Sequence, residues 1–465
     1  MNKVNPHVFR AYDIRGKAYE SITSEFCNLV GLAFGEELKE MYKMENPVVI
    51  VGRDARTHSP EFEDTLTEGL MLSGCHVKLI GQTPSPVNYF ALCHFEADGS
   101  IQITASHNEA GDNGLKIQTR GAEAYAGKDL QKLRKKIENM ASGQWVVGSG
   151  QCEEIDAITP YIEKIISISN HYSLTTNHFR CSAAADFGNG VSGPVYMEAL
   201  QKAGVEVTPL FEEPDGTFPN HIADPSKHDT LTKLIETVKN NNLDFGIAFD
   251  GDGDRVGFVD ENGNIISPDY ILLLLAEDHL SRKPGGSVVY TVSMSGILDT
   301  EIQKFGGDST MCEVGHSFVE HKMREEGAEL GGEQSGHFFC GEDYYGYDDA
   351  LVAALRVISI FNRKTISFSS LFSEYPKIFQ IPEWRPHCDD DKKTEVVKKV
   401  TEEFQKDYPC ITIDGVRIDF GNGAWAGIRQ SNTSPKLSIC IEARNQEKLN
   451  ELEKLVKEVV GKYLN

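Results

Sequence analysis

No apolar run in this chain approaches the length of a membrane span. The longest, ILLLLA at Ile271–Ala276, is far short of the roughly 20 residues a bilayer crossing takes. The opening residues, MNKVNPHVFRAYDIRG, hold no apolar stretch of the kind a secretory signal carries. Paired cysteines are missing as well. Ten cysteines run from Cys27 to Cys440 without a C-x-x-C pair or a metal-finger spacing. That pattern fits scattered core thiols in a reducing, cytoplasmic setting. Positive charge is scarce: 46 Lys and Arg stand against 70 Asp and Glu, a net charge of −24. Nucleic acid and anionic membrane are therefore poor partners. An anionic small molecule is not excluded, because screening over about 8 Å lets a local Arg/Lys cluster dominate a closed cleft.

What remains is a globular composition, 40% hydrophobic and 25% charged, over 465 residues. That length implies roughly three or four domains of about 100–150 residues. Periodicity supplies α/β units. NPVVIVGRD (Asn46–Asp54) reads as a buried strand ending in a loop. SPEFEDTLTEGLMLSG follows as a helix with Phe62, Leu66 and Leu70 on one face. Ser59 suits its cap, Pro60 its first turn and Gly74 its end. HVKLIG and SIQITASHN continue as strands, the second running into a loop.

The same order returns twice. CSAAADFGNG leads to a helix near Gly193–Ala203, then VEVTPLF and LDFGIAFDGDGD. GSVVYTVSMSG leads to a helix with Ile297, Leu298, Ile302 and Phe305, then STMCEVGHS and AELGGEQSGH. Similar order at a long period marks an internal repeat. Ligands of parallel α/β sheets sit at the carboxyl ends of strands. Those ends carry Ser106 in the first copy, Asp250, Asp252 and Asp254 in the second, and Glu333, Ser335 and His337 in the third. The tail is strand-rich between two helices, one striped by Val396, Val397, Val400 and Phe404, the other by Leu449, Leu452, Val456 and Val460. It reads as an α+β module. The expected domains are residues 1–152, 153–263, 264–374 and 375–465.

FDGDGDR (Phe249–Arg255) places three carboxylates between glycines after an apolar strand. They repel one another unless a cation sits among them, which points to a Mg2+ site. A calcium EF-hand loop is the rival, with Asp250, Asp252 and Asp254 at its first, third and fifth positions and Glu261 at its twelfth. Arg255, however, stands where that loop needs Gly. Arg255 beside the trio suits a shared anion such as phosphate, or simple charge balance. Ser106, in ITASHNEAGDNGLKI, has no G-x-S-x-G elbow around it. It reads as a loop or cap serine, or as a phosphoryl carrier held against a metal by the aspartates. Lys116 lies ten residues on and could return to the same place. GGEQSGH offers a carboxylate and a hydroxyl to a sugar, or is a structural turn. IRQSNTSPKL gathers Arg429, Ser431, Asn432 and Thr433 in a polar loop, either a phosphate cradle or an Asx/ST turn.

Taken together and in order, FRAYDIRG, GRDAR, TASHN, NGLKI, DFGNG, PDGTFPNH, FDGDGDR, GEQSGH, GYDDA and SNTSP resemble the α-D-phosphohexomutase superfamily, in its phosphomannomutase/phosphoglucomutase branch. The resemblance implies three similar α/β mixed-sheet domains plus a C-terminal α+β domain around a central cleft. It implies an isomerase that interconverts hexose 1-phosphate and hexose 6-phosphate through a phosphoserine enzyme and a hexose 1,6-bisphosphate. Ser106 would be the phosphoserine, holding Mg2+ with Asp250, Asp252 and Asp254. Lys116, His107 and Arg255 would do catalytic work. Tyr12, Arg15, His316, Glu333, Ser335, His337, Arg429, Ser431, Asn432 and Thr433 would bind substrate. Partners would be small sugar phosphates, with no nucleic acid and no membrane, in a monomer or homodimer. Relatives commonly carry Lys near Ser293, so sugar preference stays open. Phosphoglucosamine mutase is one rival. A Mg-dependent sugar phosphatase is another, though it would need no second phosphate cradle at Arg429. A silent sugar-phosphate binder should have lost the serine or an aspartate.

Overall fold

A computed structural model describes residues 5–140, 148–171, 181–431 and 434–464. These residues form two compact units. One holds the chain up to Ser267 together with Ser335–Leu371; the other holds Pro268–Gln334 and everything from Phe372 onward.

In the first unit, Val48–Arg53 is flanked by His76–Gln82 and Gly99–Ile103, both parallel to it. Asp112–Thr119 then returns antiparallel along Gly99–Ile103, with Ile14–Lys17 beyond it. The next sheet repeats this order. Cys181–Asp186 lies between parallel Val205–Leu210 and Phe245–Phe249, and Val256–Asp260 returns antiparallel. Both GSIQI (Gly99–Ile103) and FGIAF (Phe245–Phe249) are buried at every residue, as central strands covered on both faces must be. In the second unit, Ser287–Thr291 again sits between two parallel partners, Asp308–Cys312 and Leu330–Gly332. The threefold repeat read from the sequence is thus a repeat of strand order.

One difference from the sequence reading is local. The Ser59–Leu72 helix has no side-chain cap: Ser59 opens the helix and its hydroxyl donates instead to Asp54 Oδ1 at 2.7 Å. Ser59 is the first helical residue, one position past the cap, and its oxygen accepts from Asn113 Nδ2 at 3.0 Å instead of from a helix N–H. Asp349 caps Ala350–Lys364, accepting from Leu351 N and Val352 N at 3.0 and 3.1 Å. Phe361 and Phe368 then pack on Phe245, ring centroids 5.6 and 4.7 Å apart.

The C-terminal sheet is antiparallel throughout, in the order Phe379–Gln380, Leu437–Ala443, Trp425–Gln430, Val416–Asp419 and Cys410–Ile411. Lys393–Phe404 and Gln446–Leu464 cover it with the apolar stripes expected. Arg417 ties this sheet to the turn after Ser287–Thr291. Its guanidinium donates to the carbonyls of Val292 and Met294 and lies 3.5 Å from the Trp425 ring centroid. Among the described residues no helix is long and apolar enough to cross a membrane.

Helices Ser24–Tyr42 and Ser59–Leu72 meet backbone to backbone. A Cβ on Gly69 would stand 2.0 Å from Asn28 O, and one on Gly31 would stand 2.3 Å from Leu66 O. Replacing an exposed helical Gly by Ala gains about 1 kcal/mol, but here the overpacking cost of about 1–3 kcal/mol or more wins. Gly69→Ala is therefore expected to lower the urea midpoint. An equal or higher midpoint would contradict the close approach.

Candidate active site

Ser106 sits in the turn between Gly99–Ile103 and Asp112–Thr119, at the carboxyl end of the parallel strands. Its backbone is left-handed, φ 50°, a conformation a non-glycine residue keeps only when its surroundings enforce it. Its N–H donates to Thr104 Oγ1 at 2.9 Å and its carbonyl accepts from Arg56 at 2.9 Å. Its Oγ donates to Asp250 Oδ2 at 2.8 Å and lies 3.0 Å from His107 Nδ1. The two loops fit this closely because residue 251 is glycine: a Cβ there would stand 2.5 Å from Ser106 O.

Asp250, Asp252 and Asp254 occupy the hairpin turn between Phe245–Phe249 and Val256–Asp260, all fully buried. Each offers an oxygen within 4.8 Å of the others, a grouping that could hold a metal ion. The turn closes an antiparallel pair, and Glu261 lies beyond the return strand, where it accepts from Ser369 N at 3.0 Å. The EF-hand alternative therefore has no loop to occupy. Asp250 Oδ1 accepts the backbone N–H groups of Gly253, Asp254 and Arg255 at 2.9, 3.1 and 3.2 Å. Burial, with Asp254 and Asp252 close by, pushes the Asp250 carboxyl well above the usual carboxylate range. Asp252 Oδ1 is buried with no hydrogen-bond partner. An orphaned carboxylate oxygen inside an acidic cluster is the feature a bound cation would satisfy.

Lys116 reaches the trio from the antiparallel strand Asp112–Thr119. Its ammonium bonds Asp252 Oδ2 at 2.6 Å and also Asp254 Oδ2. Burial alone would lower its pKa, but Asp252 and Asp254 hold it well above the usual lysine value. His107 is driven the other way, well below the usual imidazole value, by burial and by Arg255 and Arg15. Arg255 donates from Nε to His337 Nε2 at 3.2 Å, and His337 Nδ1 lies 3.0 Å from Ser335 Oγ. The same Nε2 lies 3.5 Å from Asp254 Oδ1 and 3.7 Å from Asp348 Oδ2. Arg15 bonds Asp13 and reaches Ala105 O and Asn108 Oδ1 at 3.4 and 3.3 Å. Half-buried Tyr12 is close enough to act electrostatically on both Arg15 and Arg255. Ser106, His107, Lys116, Tyr12, Arg15, Asp250, Asp252, Asp254, Arg255, Ser335 and His337 thus all belong to the first unit.

The second unit holds the others. Buried His316 opens the His316–Glu326 helix, and the preceding Gly315 N–H donates to buried Glu333 Oε1 at 2.7 Å. Arg429 is on the strand Trp425–Gln430, not in the polar loop: strand pairing with Ser438 holds it. Its Nε is buried without a hydrogen-bond partner. It lines a small cleft together with Ser293, Asp414, Arg417 and Ser438. Ser431 Oγ accepts from Arg385 Nη2 at 2.9 Å, and Ser431 O accepts from Lys393 Nζ at 2.9 Å. Asn432 and Thr433 lie outside the described residues.

Four participants escaped the sequence reading. Ser85 donates to Asp252 Oδ2 at 2.6 Å, and Asp348 groups with Asp254 and His337 within 4.8 Å. Arg385 and Lys393 crowd the Ser431 loop from more than 35 residues away in sequence. Only Asp348 had a local signal, in GYDDA; the other three are brought in by tertiary packing.

Comparison with known proteins identifies the family of the chain. Residues 6–144, 159–263 and 267–379 match the models of phosphoglucomutase/phosphomannomutase alpha/beta/alpha domains I, II and III, and residues 385–459 match that of the C-terminal domain. The chain is 37% identical over 451 residues to a phosphomannomutase/phosphoglucomutase of Pseudomonas aeruginosa, covering 96% of this chain and 93% of the relative. It is 34% identical over 466 residues to a phosphoglucomutase of Neisseria gonorrhoeae, covering 99% and 98%. The crystal structure of a phosphoglucomutase/phosphomannomutase family protein from Burkholderia thailandensis superposes with a TM-score of 0.90 at 32% identity, covering 99% of both chains. With buried aspartates meeting a loop serine, and with all four domains matched in order, the chain belongs to the phosphoglucomutase/phosphomannomutase family of the α-D-phosphohexomutase superfamily.

Proposed function

We propose that this protein is a phosphomannomutase/phosphoglucomutase that interconverts hexose 1-phosphate and hexose 6-phosphate, with Ser106 as its phosphoryl carrier. The observation that carries this reading is the 2.8 Å contact of Ser106 Oγ with Asp250 Oδ2, which puts a hydroxyl against three buried carboxylates. Family membership supports the same reaction class.

In the first half-reaction the P–Oγ bond of phosphoserine 106 breaks as a P–O bond forms to the free hydroxyl of the substrate. The hydroxyl proton passes to a base, and the departing Ser106 Oγ takes up a proton. The product, a hexose 1,6-bisphosphate, turns over and presents its other phosphate. That P–O bond breaks, the phosphoryl returns to Ser106 Oγ as the serine hydroxyl gives up its proton, and the released sugar oxygen takes up a proton. We assign these proton transfers to His107, 3.0 Å from Ser106 Oγ, and to Lys116, ion-paired to Asp252 and Asp254. Arg255 and Arg15 supply positive charge beside the serine. Glu333, Ser335, His337 and His316 are assigned to the sugar hydroxyls, and Arg429, Ser431, Asn432 and Thr433 to the distal phosphate. Asp250, Asp252, Asp254 and the phosphoserine oxygen would hold Mg2+, which would neutralise charge on the transferred group. The proposed domains are 1–152, 153–263, 264–374 and 375–465, in a cytoplasmic monomer or homodimer.

A coupled assay with mannose 1-phosphate, glucose 1-phosphate and glucosamine 6-phosphate, with Mg2+ and a trace of hexose 1,6-bisphosphate, tests the reading. Isomerisation is expected on mannose or glucose phosphates. Inorganic phosphate without isomer would make the protein a phosphatase, and turnover on glucosamine phosphate alone would make it the aminosugar enzyme. Ser106→Ala is expected to lower turnover by at least about 10⁴-fold while the melting transition persists. Wild-type turnover in that variant would remove Ser106 from the chemistry.

Dialysis against a chelator is expected to stop turnover, and Mg2+ to restore it. Asp252→Asn should raise the Mg2+ concentration for half-maximal rate at least about tenfold. Full activity in chelator would contradict a metal among the aspartates.

A further inference from the structure

We propose that Arg56, which hydrogen-bonds none of Asp250, Asp252 and Asp254, is the positioning residue that aims Ser106. This rests on the reading of Ser106 as phosphoryl carrier. Arg56 is 1% exposed, and all five of its guanidinium N–H groups have acceptors. Nε donates to Asp54 Oδ2 at 3.0 Å. Nη1 donates to the carbonyls of Glu109 and Asp112 at 2.6 and 3.0 Å. Nη2 donates to the carbonyls of Ser106 and Asn108 at 2.9 and 2.8 Å. With five donors and five acceptors the fork is saturated, so Arg56 has no hydrogen left for a ligand. Its partners instead span the whole turn that bears the serine.

The consequence for Ser106 is geometric. Its carbonyl and its Oγ leave the same residue, and that residue is held left-handed at φ 50°. Anchoring the carbonyl to Nη2 on one side leaves Oγ directed at Asp250 on the other. His58, two residues along, completes the anchor: its ring Nε2 lies 3.1 Å from Ala110 O while Nδ1 meets Asn113 Nδ2 at 2.7 Å. Asp54 orients the fork, accepting also from Arg56 N at 3.0 Å and Ser59 Oγ at 2.7 Å. A lysine keeps the charge but delivers its donors from one atom and cannot span carbonyls of four residues.

The test uses the full-length enzyme with Mg2+, comparing wild type, Arg56→Lys and Asp54→Asn. Four quantities are read: steady-state kcat and KM on glucose 1-phosphate, the rate at which glucose 1,6-bisphosphate phosphorylates Ser106, followed by intact mass, and amide exchange across residues 106–112. In Arg56→Lys, kcat and the phosphorylation rate should both fall about 100-fold while KM moves less than about threefold. Exchange should quicken in the 106–112 turn and stay unchanged in Phe245–Phe249. A folded Arg56→Lys that is phosphorylated at the wild-type rate, or that loses activity only through KM, overturns the proposal. Should Arg56→Lys fail to fold, folded Asp54→Asn must show the same loss in phosphorylation rate; a wild-type rate there overturns it. If wild-type Ser106 never takes phosphate, the carrier reading itself has failed. Exchange then decides on its own whether Arg56 fixes the turn, and an unaltered 106–112 pattern in the variants says it does not.

Discussion

Three carboxylates at Asp250, Asp252 and Asp254 share one fully buried turn, and their mutual repulsion must be met by charge and hydrogen bonds drawn from elsewhere. Backbone N–H groups of the turn itself take one oxygen of Asp250. Lys116 supplies an ammonium from the neighbouring repeat, and Ser85 a hydroxyl. Ser106 is drawn in by the same demand, since its Oγ donates to Asp250. The aspartates therefore act as the anchor on which the first repeat lays its serine loop, and a divalent cation is the natural completion of that anchor.

The closeness of the two loops has a backbone origin. Gly251 leaves room for the Ser106 carbonyl, and the hairpin register Phe249↔Val256 fixes where the three side chains point. Ser106 in turn holds a left-handed backbone that its own side chain does not favour. Strain of this kind, of order 1–3 kcal/mol, persists where neighbours overdetermine it. Here the neighbours are Thr104, Arg56 and Asp250, from three different segments. Two of these three, Thr104 and Arg56, lie outside the proposed chemistry.

Much of this was legible in the sequence. Strand runs such as FGIAF and GSIQI are short, apolar and bounded by turn residues, so the repeat and the placing of Ser106 and the aspartates at strand ends could be read directly. The alternation Asp-Gly-Asp-Gly-Asp marked the acidic cluster that could hold a metal ion, and the strand before it separated it from an EF-hand. Ser59 misled because a serine before an apolar helix face suggests a cap, whereas tertiary structure had placed Asp54 within its reach. Arg429 was taken for a loop residue because strand pairing with Ser438 leaves no trace in local polarity. Arg385 and Lys393 were invisible for a related reason: on a sequence they are ordinary surface cations, and only folding brings them to Ser431.

The most direct measurement is a pulse and chase of the phosphoenzyme. The wild-type protein is labelled with glucose 1,6-bisphosphate carrying radioactive phosphate, the label is mapped by peptide, and the protein is then chased with unlabelled glucose 1-phosphate and Mg2+. The expected result is label on Ser106 that passes to hexose phosphate and hexose bisphosphate in the chase. Label on another residue, or its release as inorganic phosphate, would contradict a serine carrier held against the buried aspartates.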